Sequence, residues 1–176
     1  MSERPPAWAV FGTFGAALAF IGLVLVYLPW TLSRWQLAPP LLGLTPLRWV
    51  GAVLAAFAIP VLADFLVRFV REGHGTPMVL APPRRLVRGG VFRWVRNPGY
   101  LAADAMLFGQ GLLFGSTLVL GYALGLALAF HLFVVLVEEP ALRRTFGAAY
   151  LDYCREVPRW IPRGPKSADH KRNAGP

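Results

Sequence analysis

Four long apolar runs, separated by shorter polar stretches, give the chain its pattern. They are Ala7 to Trp30, Leu47 to Phe69, Pro98 to Gly115 and Thr117 to Val137. Each reaches or approaches the ~20 apolar residues that a helix needs to cross a bilayer. The pattern predicts an all-α protein: a polytopic membrane helical bundle of about four transmembrane helices. Thr31 to Pro46 reads as a loop, marked by Pro39, Pro40 and Pro46. Arg71 to Val95 reads as a long basic loop, broken by Gly73, Gly75, Pro77, Pro82 and Pro83. Gly115-Ser116 is a tight turn, so the third and fourth runs form an antiparallel hairpin. The fourth is expected to end at Glu138-Glu139-Pro140. Two short helices then follow, Ala141 to Gly147 with Gly147 as C-cap, and Ala148 to Cys154. Val157, Trp160 and Ile161 interleave with Arg155, Arg159 and Arg163, which suits a segment lying along a membrane interface. The reading is one domain over residues 1–163, with the motif-bearing part at 84–163 and a disordered polar tail at 164–176.

Composition narrows the class. Of 176 residues, 56% are hydrophobic and only 15% charged, against the ~25% usual in soluble domains. The net charge of +9 is gathered between apolar runs, which favours anionic membrane lipids over nucleic acid. Arg4 precedes the first run and no small-residue cleavage site follows, so that run is expected to be a retained span. Trp8, Tyr27 and Trp30 fall near its ends, as an aromatic belt would. Arg34 and Arg48 flank the first loop, and the other Lys and Arg residues fall on the opposite side of four spans. The positive-inside rule then puts both termini in the cytoplasm. Richness in Ala, Gly and Arg with little Lys points to a bacterial inner membrane. The lone Cys154 implies no internal disulfide, and no metal site is expected.

Ionisable groups inside apolar runs are expensive and functional by default. Asp64 stands four residues before Arg68, a spacing that pairs them. Pro60 is expected to kink the second run. Asp104 lies one turn beyond Tyr100 and could bond Tyr100, bond Arg96 or face a ligand. His131, Val134 or Val135, and Glu138 fall on one helical stripe.

The richest stretch is Arg96-Asn97-Pro98-Gly99-Tyr100. Asn97 is a strong N-cap and Pro98 suits the first helical position. The free amides of that first turn make an anion site, with Arg96 and Tyr100 beside it. The hairpin returns Glu138 to the same membrane side.

These residues carry a resemblance. The strings Leu86-Val87-Arg88-Gly89-Gly90-Val91-Phe92, Arg96 to Tyr100, Glu138-Glu139-Pro140, Phe146-Gly147, Tyr150, Tyr153 and Val157-Pro158-Arg159 resemble, in order and spacing, the isoprenylcysteine carboxyl methyltransferase and phospholipid methyltransferase superfamily. The likeness runs from about Leu86 to Pro162. It implies an integral membrane enzyme using S-adenosylmethionine. It assigns Leu86, Val87, Phe92, Asn97, Pro98, Gly99 and Tyr100 to the cofactor, and puts Glu138 and Glu139 near cofactor and substrate. Arg96 and His131 join the cofactor set by position, and Tyr100 and Glu138 are the expected catalytic pair. Two departures stand out. The family's motif His is Asn97 here, which does not titrate near neutral pH. An Arg that eukaryotic carboxyl methyltransferases carry one turn before the first Glu is Val134 here, which points away from a prenylcysteine carboxylate.

The implied reaction is methyl transfer from a sulfonium to a lipid-like or small hydrophobic acceptor, with orientation and water exclusion as the main tasks. Two other readings remain at this level. One is a sterol-reductase-type enzyme using NADPH, with arginines on a 2′-phosphate. The other is a non-catalytic membrane subunit.

Overall fold

The computed structural model describes residue 15, residues 18–73 and residues 86–164. Among these, every regular element is helical and none is a strand. Helix α1 (Leu18–Ser33) leads through a loop with a short 3-10 turn at Leu41–Gly43 into α2 (Pro46–Gly73). A second 3-10 turn, Gly90–Arg93, precedes α3 (Pro98–Phe114). Next comes α4 (Thr117–Phe133). It continues through a π turn at Val134–Glu138 into α5 (Glu139–Phe146), and α6 (Ala148–Glu156) follows.

Two helical stretches are long and apolar enough to cross a membrane, Pro46–Arg68 and Thr117–Phe146. The described part of the first apolar run, Leu18–Ser33, is shorter, and α3 has 17 residues. Four spans are therefore an expectation of which two stand at full length. Most of Ala7 to Ala17, Arg84, Arg85 and the tail from Pro165 lie outside the described residues.

The hairpin is as read. Gly115 ends α3 in the left-handed region at φ 68°, a conformation open to glycine without strain. The Ser116 side chain caps α4 by accepting from the Val119 amide at 3.3 Å. Gly147 ends α5, also at positive φ. Pro60 sits inside an unbroken helix.

One expectation is corrected. The fourth run does not end at Glu138-Glu139-Pro140. The helix swells into the π turn, in which the Glu139 amide bonds the Val134 carbonyl, and then runs on to Phe146. The same device occurs in α1, where a π turn spans Leu23–Tyr27. Each π turn ends two residues before a proline, Pro29 and Pro140. A proline removes one helical N–H and clashes with the carbonyl one turn back, and widening the turn relieves that clash.

Carbonyls freed in this way and buried among apolar side chains need new donors. In α1 they find them. Gln110 Nε2 donates to the Leu25 carbonyl at 2.8 Å, and Tyr122 Oη donates to the Val24 carbonyl at 3.1 Å. Around this clamp Val24, Leu25, Ala103, Leu107 and Ala123 form the buried core. The α2–α3 contact depends on small residues instead. A Cβ on Gly51 would stand 2.6 Å from the Gly109 carbonyl oxygen, and one on Gly109 would stand 2.7 Å from that of Gly51. Such close backbone approach is how apolar helices gain packing energy where lipid is as apolar as the side chains.

Candidate functional site

The two corners meet. Pro98 begins α3 at the end of the basic loop, and Glu138 closes the π turn after α4. Tyr100 Oη donates to Glu138 Oε2 at 2.9 Å, and the Tyr100 ring packs on Phe130 with centroids 4.7 Å apart. The members of the expected catalytic pair are thus in direct contact, and both are half-buried.

Asn97 occupies the N-cap position of α3, but its side chain makes no capping bond. This corrects the expected cap. Asn97 Nδ2 donates instead to the Arg159 carbonyl at 3.2 Å. The Asn97 side-chain oxygen therefore covers none of the first-turn amides of α3. Pro98 is fully buried. Gly99 allows a close approach: a Cβ there would lie 2.8 Å from the Phe65 ring. Phe65 also faces Phe92, at 5.9 Å between centroids.

Glu139 stands apart from Glu138. It is 3% exposed and surrounded by three arginines. Arg159 Nε and Nη2 reach its two oxygens at 2.6 and 3.0 Å, Arg96 Nη1 lies 3.1 Å away, and Arg143 Nη2 lies 3.4 Å away. Bidentate geometry of this kind is the strong form of the pair. The Glu139 hydrogen bond holds the Arg159 guanidinium above its usual range, so it stays charged. Arg96, a cofactor candidate, is turned toward Glu139 and toward Cys154 Sγ, at 2.6 Å from the latter.

The carboxyl-terminal segment, residues 157–163, straps these parts together. The Arg96 amide donates to the Pro158 carbonyl at 2.9 Å, and the Arg163 amide donates to the Trp94 carbonyl at 3.0 Å. Trp160 Nε1 donates to His131 Nδ1 at 3.1 Å, so the histidine of α4 is held by the strap. Leu86 packs on Tyr150, Tyr153 and Val157. Val87 and Phe92 are buried nearby. Tyr153 Oη donates to the Phe92 carbonyl at 2.8 Å. Burial pushes the Tyr150 and Tyr153 phenols up from their usual range, which keeps Tyr153 a neutral donor. Arg88 caps this cluster, with its guanidinium 5.4 Å above the Tyr153 ring.

Asp64 pairs with Arg68 at 2.9 Å, as its spacing predicts. It also accepts from the Val91 amide at 3.1 Å, which ties the basic loop to α2. That second role had no local signal. Asp104 behaves differently. Its Oδ1 is buried and without a hydrogen-bond partner. Tyr100 is engaged by Glu138 and Arg96 by Glu139, so of the three options for Asp104 both internal bonds are absent.

The family profile described as phospholipid methyltransferase matches residues 46–149. That is more than half the chain. The chain belongs to the phospholipid methyltransferase family. This is a family of membrane methyltransferases, in agreement with the resemblance read from the sequence. Its matched region takes in α2, the Gly90–Arg93 turn, both corners and α5. The strap lies beyond it. No curated protein and no solved structure matches the chain at a significant level.

Proposed function

We propose that the protein transfers a methyl group from S-adenosylmethionine to a lipid-like acceptor at the cytoplasmic face of a membrane, as a bundle of four spans with both termini cytoplasmic. The observation that carries this reading is the Tyr100–Glu138 hydrogen bond, which joins the two family corners in one place.

The residues fit the donor. The uncapped first turn of α3 leaves amides for a carboxylate. Glu138 offers an acceptor for ribose hydroxyls or an amine. Bound there, S-adenosylmethionine supplies an electrophilic methyl on a sulfonium. Leu86, Val87, Phe92, Asn97, Pro98 and Gly99 shape and anchor that corner. Arg96 and Glu139 fix the corner to the strap, and His131 fixes the strap to α4. Tyr100 donates to Glu138 and fixes the direction of its carboxylate. Apolar helix faces leave a lipid acceptor a sideways path from the bilayer, and water is kept from the reacting groups.

Calorimetry of the purified protein with S-adenosylhomocysteine, and separately with NADPH, tests the proposal. Binding of S-adenosylhomocysteine that weakens in Glu138→Gln is the expected result. NADPH binding without S-adenosylhomocysteine binding overturns it.

A further inference from the structure

Among the described residues, Asp104 is the acidic group at this site that no side chain uses. Glu139 is matched by Arg96, Arg143 and Arg159, Asp64 by Arg68, and Glu138 takes the Tyr100 hydroxyl. Asp104 Oδ1 is buried with no hydrogen-bond partner. A buried carboxylate oxygen left unpaired is costly, and doubly so in an apolar span. Asp104 stands four residues after Tyr100 on α3, which puts it on the same helix face and about 6 Å further from the helix start at ~1.5 Å per residue. It is displaced toward the apolar interior, where a lipid-like acceptor would enter, and away from the uncapped α3 start that suits the donor's carboxylate.

We propose that Asp104 is a catalytic residue on the acceptor side: it receives the hydrogen bond, and then the proton, of the N–H or O–H nucleophile that takes the methyl. This rests on the methyltransferase reading above. In the step, the nucleophile's lone pair forms the new bond to the methyl carbon. The carbon–sulfur bond breaks and its electron pair stays on sulfur, leaving a neutral thioether. The nucleophile's proton passes to the Asp104 carboxylate and later to solvent. Glu138 is less suited to this role because Tyr100 already occupies one of its oxygens.

The test uses the full chain in detergent, with dodecylamine and dodecanol as acceptor probes and S-adenosylhomocysteine as donor probe. Calorimetry measures each probe's affinity for wild type, Asp104→Asn and Asp104→Glu, and transfer of labelled methyl from S-adenosylmethionine to each acceptor probe is followed separately. Circular dichroism checks that the variants are folded. The expected result has three parts. Asp104→Asn binds S-adenosylhomocysteine within about threefold of wild type, binds at least one acceptor probe about tenfold or more weakly, and loses ~10²–10⁴-fold in turnover. Asp104→Glu recovers part of both acceptor readouts. Preference for dodecylamine identifies an amine nucleophile, and preference for dodecanol a hydroxyl. Three outcomes overturn the inference: unchanged binding of both acceptor probes in Asp104→Asn, loss confined to S-adenosylhomocysteine, or wild type binding neither acceptor probe. Wild type that binds an acceptor probe through Asp104 but no S-adenosylhomocysteine removes the donor reading and leaves the Asp104 contact standing.

Discussion

Tyr100 and Glu138, 38 residues apart, share a 2.9 Å hydrogen bond. Tyr100→Phe keeps the ring on Phe130 and removes only that bond. Hydrogen bonds to a charged group contribute about 1.5–3 kcal/mol. If the bond is needed in the transition state, methyl-transfer activity should fall by roughly 10- to 100-fold on that scale, while circular dichroism shows the variant still folded, with a modest drop in its unfolding temperature. Full activity in Tyr100→Phe would separate the pair from the chemistry.

Glu139 should behave in the opposite way. Glu139→Ala leaves the buried Arg96 guanidinium and the partly buried Arg159 one facing each other without their carboxylate. Breaking a buried ion pair from one side is destabilising by about 3–5 kcal/mol. Thermal unfolding in detergent should show a large drop, and limited proteolysis should cut first near the strap. Arg143→Ala should do far less, because Arg143 is half exposed and its contact is the longest of the three.

Gly51→Val tests the α2–α3 contact. Its added carbons would meet the Gly109 carbonyl and the backbone at Leu113, neither of which can rotate away. Overpacking costs about 1–3 kcal/mol, so a lowered unfolding temperature is expected. Gly121→Val serves as the control, since a Cβ there meets nothing within 4 Å.

The clamp on α1 gives a smaller effect. Tyr122→Phe removes one hydrogen bond between apolar helices, worth roughly 0.6 kcal/mol and at most about 1.7 on the scale of membrane helix pairs. Tyr122→Phe combined with Gln110→Met should loosen α1 from the bundle. Thiol labelling of Leu25→Cys in that background should run faster than in the single variants.

Much of this was legible in the residues. Pro98 and Gly115 bracket α3 because a proline after an N-cap residue suits the first helical position and a glycine suits a left-handed end. The short turn at Gly115-Ser116 forced the hairpin, and the hairpin brought Tyr100 to Glu138. The Asp64–Arg68 pair followed from a four-residue spacing. What escaped has a common cause, long-range competition. Asn97 has the chemistry of a cap, yet the Arg159 carbonyl, 62 residues away, takes its side chain. Glu138-Glu139-Pro140 looks like a helix end, because a proline reads as a stop. A π turn placed just before it lets the helix continue. The same turn precedes Pro29, where Gln110 and Tyr122 supply donors for the carbonyls it frees, whereas Pro60 sits in α2 with no such turn, so a proline in an apolar run did not by itself mark the place. The division of labour between Glu138 and Glu139 had no local mark, since it depends on which one the strap's Arg159 reaches.

The strap also sets an order of events in the making of the protein. Arg159 and Arg163 are among the last described residues, and they hold together parts that emerge from the ribosome much earlier. The apolar helices have all been synthesised when this segment arrives. Until it docks, the corner at Arg96 and Asn97 lacks its backbone partners and Glu139 lacks its bidentate arginine. A nascent chain halted before Pro158 would lack these contacts, and the arrival of the strap is the moment at which Arg96, Asn97 and Glu139 gain their last partners.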